Sequence, residues 1–89
     1  MMRIKDAINK ILWKYRNVLE NYYLVVVDRL NVSGFKRIPF KSIHSVDNYY
    51  VYVTNGFDTV VIPIHRVVMI EDIKGTVIWS REEGFKVDF

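Results

Sequence analysis

The residues best equipped for chemistry stand in adjacent pairs. His65-Arg66 follows an apolar run that ends in Pro63-Ile64, so the backbone there is expected to leave a sheet. A histidine beside an arginine at a strand end presents two donors to a phosphate oxygen, and the guanidinium is always charged. Asp28-Arg29 repeats this arrangement after the first apolar run, with the acid placed to orient its neighbour. A third set, Asp6, Asn9, Lys10 and Trp13, recurs at i, i+3, i+4 and i+7, which projects all four from one side of a helix. Each set also has a purely structural reading. Arg66 would pair with Asp28 or Glu71, His65 would bond to backbone, and the helix face would be solvated with Trp13 folded onto the core.

Other chemistries lack their residues. Cysteine is absent, which excludes disulfides, thiol catalysis and cysteine-ligated metals. The two histidines, His44 and His65, have no further nitrogen or sulfur ligands at short spacing, so neither a metal site nor a cofactor is expected. The four glycines, at 34, 56, 75 and 84, are too scattered for a phosphate-cradling loop, and no Gly-x-Ser-x-Gly elbow occurs. Asp28 and Asp72 could act as paired carboxylates only in a fold that brings them together. The sequence therefore leans away from an enzyme.

The elements that must position these residues belong to a short chain. Its 89 residues fit one folding unit, 1–89. A hydrophobic fraction of 51% with 26% charged residues argues against disorder, collagen and coiled coil. The longest apolar run, Tyr22 to Val27, falls far short of the roughly 20 residues of a membrane helix. Charges throughout the N-terminal segment do not fit a signal peptide, so a soluble, cytoplasmic protein is expected, with no membrane partner. The net charge of +3 is uneven: Met1 to Lys41 holds nine Lys/Arg against three acids, and Ser42 to Phe89 holds four against seven. A basic half of this kind attracts polyanions or simply solvates one face. Glutamine is missing along with cysteine, as in heat-adapted proteins.

Helical spacing from Arg3 to Trp13 places Ile4, Ala7, Ile8, Ile11, Leu12 and Tyr15 on one stripe. After Asn17 strands are expected: Tyr22–Val27, Phe35–Phe40, Tyr49–Thr54, Thr59–Ile64, Val67–Ile70 and Thr76–Ser80. Asn55-Gly56 marks a hairpin, and the tail from Glu82 is either frayed or added along an edge. Ile38-Pro39-Phe40-Lys41-Ser42-Ile43-His44-Ser45-Val46 also aligns with Ile62-Pro63-Ile64-His65-Arg66-Val67-Val68-Met69-Ile70, at an offset of 24 residues. Each copy implies a strand ending at proline, a short turn and a new strand. The predicted fold is α+β: an N-terminal helix packed on a bent, mainly antiparallel sheet of five or six strands, a bend that suits a half-barrel. Val25, Val27, Val51, Val53, Val61, Ile70, Val77 and Trp79 are the expected sheet core.

The series Ile4, Asp6, Asn9-Lys10, Trp13, Asp28-Arg29, Lys36, Ile38-Pro39, Ile62-Pro63-x-His65-Arg66 and Trp79-x-Arg81 resembles a family of small archaeal proteins, the RNA cyclic group end recognition domain. The likeness runs over about residues 3–81, leaving 82–89 outside. After Asp28-Arg29 this chain has Leu30, where relatives often have glycine. The resemblance implies recognition of RNA termini such as a 2′,3′-cyclic phosphate, without established catalytic residues. Such recognition needs Arg or His donors and an aromatic surface for a base. Arg29, His65, Arg66, Arg81, Lys10 and Lys36 are the candidate phosphate ligands, and Trp13, Tyr50, Tyr52 and Trp79 the candidate stacking platforms. Cross-strand packing, or a dimer face, is the competing role for the two tyrosines.

RNA is therefore the expected partner. One alternative is an RNA-end-processing enzyme using His65 and Arg66. Paired-histidine hydrolysis of cyclic phosphates employs repeated His-x-Ser/Thr elements, however, and neither His44-Ser45-Val46 nor His65-Arg66-Val67 fits. Another is a structural protein that forms a homodimer or docks on an RNA-processing complex.

Overall fold

The computed structural model describes residues 3–85. Its first element is α1, Ile4–Lys14, with Asp6 in the first turn and Lys14 in the last, each matched to the helix dipole. The expected stripe is buried: Ala7, Ile8 and Ile11 are fully covered, while Ile4, Leu12 and Tyr15 pack around them. A 3-10 segment that the sequence pattern does not announce, Arg16–Asn21, then leads into the sheets.

Eight strands follow: β1 Tyr22–Val27, β2 Phe35–Pro39, β3 Ile43–Val46, β4 Tyr50–Asn55, β5 Asp58–Pro63, β6 Val67–Asp72, β7 Val77–Ser80 and β8 Gly84–Phe85. All pairings are antiparallel, in one sheet ordered β2-β1-β6-β7-β8 and another ordered β3-β4-β5. The helix on a bent antiparallel sheet is as expected; the bend is sharp enough to divide the strands five and three. Two proline corners cause it. β2 ends at Pro39 and β5 at Pro63, each is followed by one 3-10 turn (Phe40–Ser42, Ile64–Arg66), and the next strand starts in the other sheet. Proline has no N–H for the ladder, so the sheet stops there and the chain can turn. Each corner closes alike, with Ile43 N–H donating to Phe40 O and Val67 N–H to Ile64 O.

The repeat extends well beyond its nine residues. The order β2-β1-β6 in one sheet becomes β5-β4-β3 in the other, so β1-β2-β3 and β4-β5-β6 are related by a pseudo-two-fold. Tyr23 pairs with Pro39 as Tyr50 pairs with Pro63. The ladder slips at matching places, past Val68 in the β1–β6 pair and past His44 in the β3–β4 pair. The first strands of the copies are 27 residues apart and the second strands 24. The first hairpin loop, 28–34, is therefore three residues longer than its counterpart at 55–58. The barrel does not close.

The core joins α1 to the concave side of the sheets through Leu24, Val26, Ile38, Phe40, Val51, Val53, Val67, Ile70 and Trp79. Two strands show the opposite parity to the expected one. In β1 the core takes Leu24 and Val26, while Val25 is covered on the other face and Val27 is half-buried; in β5 Val61 is 48% exposed and Ile62 turns inward. Both strands are apolar at successive positions, so alternation could not choose the buried face. Of the tail, Gly84–Phe85 adds to an edge as β8, and the remaining four residues lie outside the described range.

Candidate nucleic-acid interface

Strand β1 ends at Val27, and the chain enters its longer loop. Asp28 organises this loop: its N–H donates to Gly34 O at 2.8 Å, and its Oδ1 accepts the Leu30 N–H at 3.0 Å. Gly34 allows the return to β2 with φ +81°, a conformation L side chains rarely adopt. The loop stands beside the second corner because β1 and β6 are neighbours. Val27, Asp28, Arg29 and Leu30 thus line one cleft with His65 and Arg66, about 570 Å³ in volume. Residues 36 positions apart in the chain place two guanidinium groups and an imidazole around one space.

Arg29, His65 and Arg66 are all exposed. Neither guanidinium is ion-paired among the described residues. Glu71, the partner considered for Arg66, is taken by Arg37 at 3.1 Å, and Arg37 also lies over the Tyr23 ring at 4.2 Å. Asp28 accepts from backbone. The cleft therefore offers unpaired cationic donors with one carboxylate among them, a composition suited to an anion.

Arg81 serves the corner differently from expectation. Its Nε donates to Val67 O at 3.0 Å, and its Nη2 donates to Val67 O at 2.7 Å and to Ile64 O at 3.0 Å. The guanidinium spans the 3-10 turn and satisfies the carbonyls on both sides of His65-Arg66. From the other side, Ile64 N–H donates to Tyr49 O at 2.8 Å. The turn carrying the two donors is thus fastened twice.

The family now has its geometry. A family model described as the MJ1316 RNA cyclic group end recognition domain matches residues 1–81. The chain belongs to this family. It is 47% identical over 81 residues to a UPF0248 protein of Saccharolobus solfataricus, covering 90% of this chain and 98% of the relative. It is 52% identical over 80 residues to a UPF0248 protein of Metallosphaera sedula, covering 90% and 94%. No solved structure matches. The Ile-Pro-x-His-Arg segment that carries the resemblance is the second corner, Asp28-Arg29 is the loop facing it, and Trp79-x-Arg81 is the clamp behind it.

Other residues singled out in the sequence lie outside this cleft. Trp79 is 2% exposed and fills the core, so it has no face for a base; its Nε1 is buried without a partner. Trp13 is 75% exposed rather than folded onto the core, and lines a separate shallow groove with Asn9 and Arg16. Lys10 lies over the Phe85 ring at 5.0 Å. Tyr50 is 43% exposed and sits beside Pro63, next to the corner but outside the cleft lining. Tyr52 Oη donates to Asp47 Oδ2 at 2.6 Å. That bond, with two backbone N–H donors from Tyr49 and Tyr50, holds Asp47 below the usual carboxylate range and raises the Tyr52 phenol. Lys36 lines a second cleft. His44 is at the ladder slip in β3, with Nδ1 3.2 Å from Ser45 Oγ.

Two contributors had only a partial signal in the sequence. Val27 and Leu30 complete the cleft lining, and only their adjacency to Asp28-Arg29 marked them. Among the described residues no cluster of three His, Asp or Glu can hold a metal ion, and no helix is long and apolar enough to cross a membrane.

Proposed function

We propose that this domain is a non-catalytic RNA-binding module whose Arg29–His65–Arg66 cleft takes a terminal phosphate, the 2′,3′-cyclic phosphate at an RNA 3′ end. The supporting observation is the meeting of these three donors, drawn from the loop after β1 and the turn before β6, in one open cleft without ion-pair partners among the described residues. The family is described by the same ligand class. Arg66 and Arg29 supply charge-assisted bonds to the non-bridging oxygens, and His65 supplies a ring N–H. The basic first half of the chain supplies long-range attraction that added salt screens.

Titration of a short single-stranded RNA with a 2′,3′-cyclic end should show salt-sensitive binding. Arg66→Ala should weaken it by at least about tenfold, the scale of one lost charge-assisted bond, with the melting temperature retained. Equal affinity for cyclic-phosphate, linear-phosphate and hydroxyl ends would overturn the proposal.

A second reading has one geometric point in its favour: Asp28 and His65, both able to move protons, share the cleft. An enzyme acting on RNA ends would use His65 as acid or base and Arg66 to stabilise the phosphoryl charge. Incubation of a cyclic-phosphate oligonucleotide with excess protein separates the two, because product formation that depends on His65 would replace binding with turnover.

A further inference from the structure

The second cleft, about 180 Å³ in volume, is lined by residues of both repeats. Ile38 and Ile62 are equivalent positions and both line it, as do the equivalent Lys36 and Val60. The outer parts of the two clefts therefore correspond, and the differences between them are informative. Where the first has Asp28, the second has Asn55; where the first has Arg66, the second has Ser42; where the first has Val27, the second has Thr54. Two charged groups have been exchanged for an amide and a hydroxyl, and a valine for a threonine. Of its two cations, Arg37 is paired with Glu71, and the ammonium of Lys36 is exposed and without a carboxylate partner among the described residues. Ile38, Pro39 and Ile62 supply an apolar floor.

This composition suits a different part of the same polymer. A flat apolar floor accepts a base, hydroxyls and an amide meet ribose and base edges, and one ammonium matches the single charge of an internal phosphodiester. One strand pair links the clefts. Lys36 pairs with Val26 across the β1–β2 ladder, and the next residue, Val27, lines the first cleft. We propose that the second cleft is the subsite for the nucleotide immediately preceding the RNA terminus, with Lys36 on the phosphodiester that joins the two nucleotides. This rests on the RNA-end reading of the first cleft.

Calorimetric titration with uridine 2′,3′-cyclic phosphate, and with diuridylate ending in the same group, tests it. For the unaltered protein the dinucleotide should bind about tenfold tighter, the scale of one additional stacked base. Lys36→Ala should bring the dinucleotide to the affinity of the mononucleotide, leave the mononucleotide unchanged, and lower the salt slope for the dinucleotide by about one. Amide signals of Ser42, Thr54 and Asn55 should shift with the dinucleotide alone. A dinucleotide no tighter than the mononucleotide, or an equal loss for both ligands in Lys36→Ala, overturns the subsite and leaves end recognition standing. Failure of both ligands to bind the unaltered protein removes the end-recognition reading and the subsite with it.

Discussion

Asp28 should give the proposed cleft a preference among phosphates. A linear phosphate monoester carries about −1.5 to −2 at neutral pH, whereas a cyclic phosphodiester carries a single charge. A carboxylate lining the same space as Arg29 and Arg66 leaves one net positive charge, which a singly charged ligand balances and a second negative charge exceeds. Asp28→Asn retains an Oδ1 acceptor for the Leu30 N–H, so the loop should hold. Competition between cyclic-ended and linear-ended RNA should show the linear ligand gaining about threefold in the variant, the scale of one exposed charge pair. No change in the ratio would reduce Asp28 to a loop organiser. At this scale the sequence was informative: the two doublets, Asp28-Arg29 and His65-Arg66, declared themselves by type and position. What the doublets could not declare was that Arg81, equally cationic, is occupied with backbone carbonyls.

The proline corners set the geometry at the scale of elements. A 3-10 turn of three residues is a weak structure by itself. Here it is held by the Arg81 fork on one side and by Tyr49 O on the other. Arg81→Lys keeps the charge and loses the fork. It should lower the melting temperature modestly, by about 1–2 kcal/mol of stability, and weaken RNA binding about tenfold, with amide signals of His65 and Arg66 shifting before ligand is added. Binding loss with unshifted amide signals would instead put Arg81 on the ligand. The corners were legible because apolar residues and proline recur at one offset. The faces of β1 and β5 were not, because Tyr22–Val27 and Val60–Ile62 are apolar at every step and only the packed partner decides which side is inner.

On the scale of the whole molecule, the candidate cleft depends on a pairing far apart in sequence, β1 with β6. Nothing local in the chain records that neighbourhood, so the convergence of Arg29 with His65 and Arg66 emerged only in three dimensions. The repeat hinted at it, since two equivalent corners imply two equivalent mouths, one of which has gained a longer loop with an additional arginine.

The pseudo-two-fold has a consequence for how the chain assembles. β1 is flanked by β2 of its own half and β6 of the other, and β4 by β5 and β3 in the same crossed fashion. Within each set of three strands only one hairpin is internal, β1-β2 or β4-β5, and a lone hairpin is marginal in water. A polypeptide cut after Val46 should show no sigmoidal melt, and the intact protein should melt in one step by both far- and near-ultraviolet dichroism. The two sets of strands should thus act as templates for each other, each sheet incomplete until its sibling arrives.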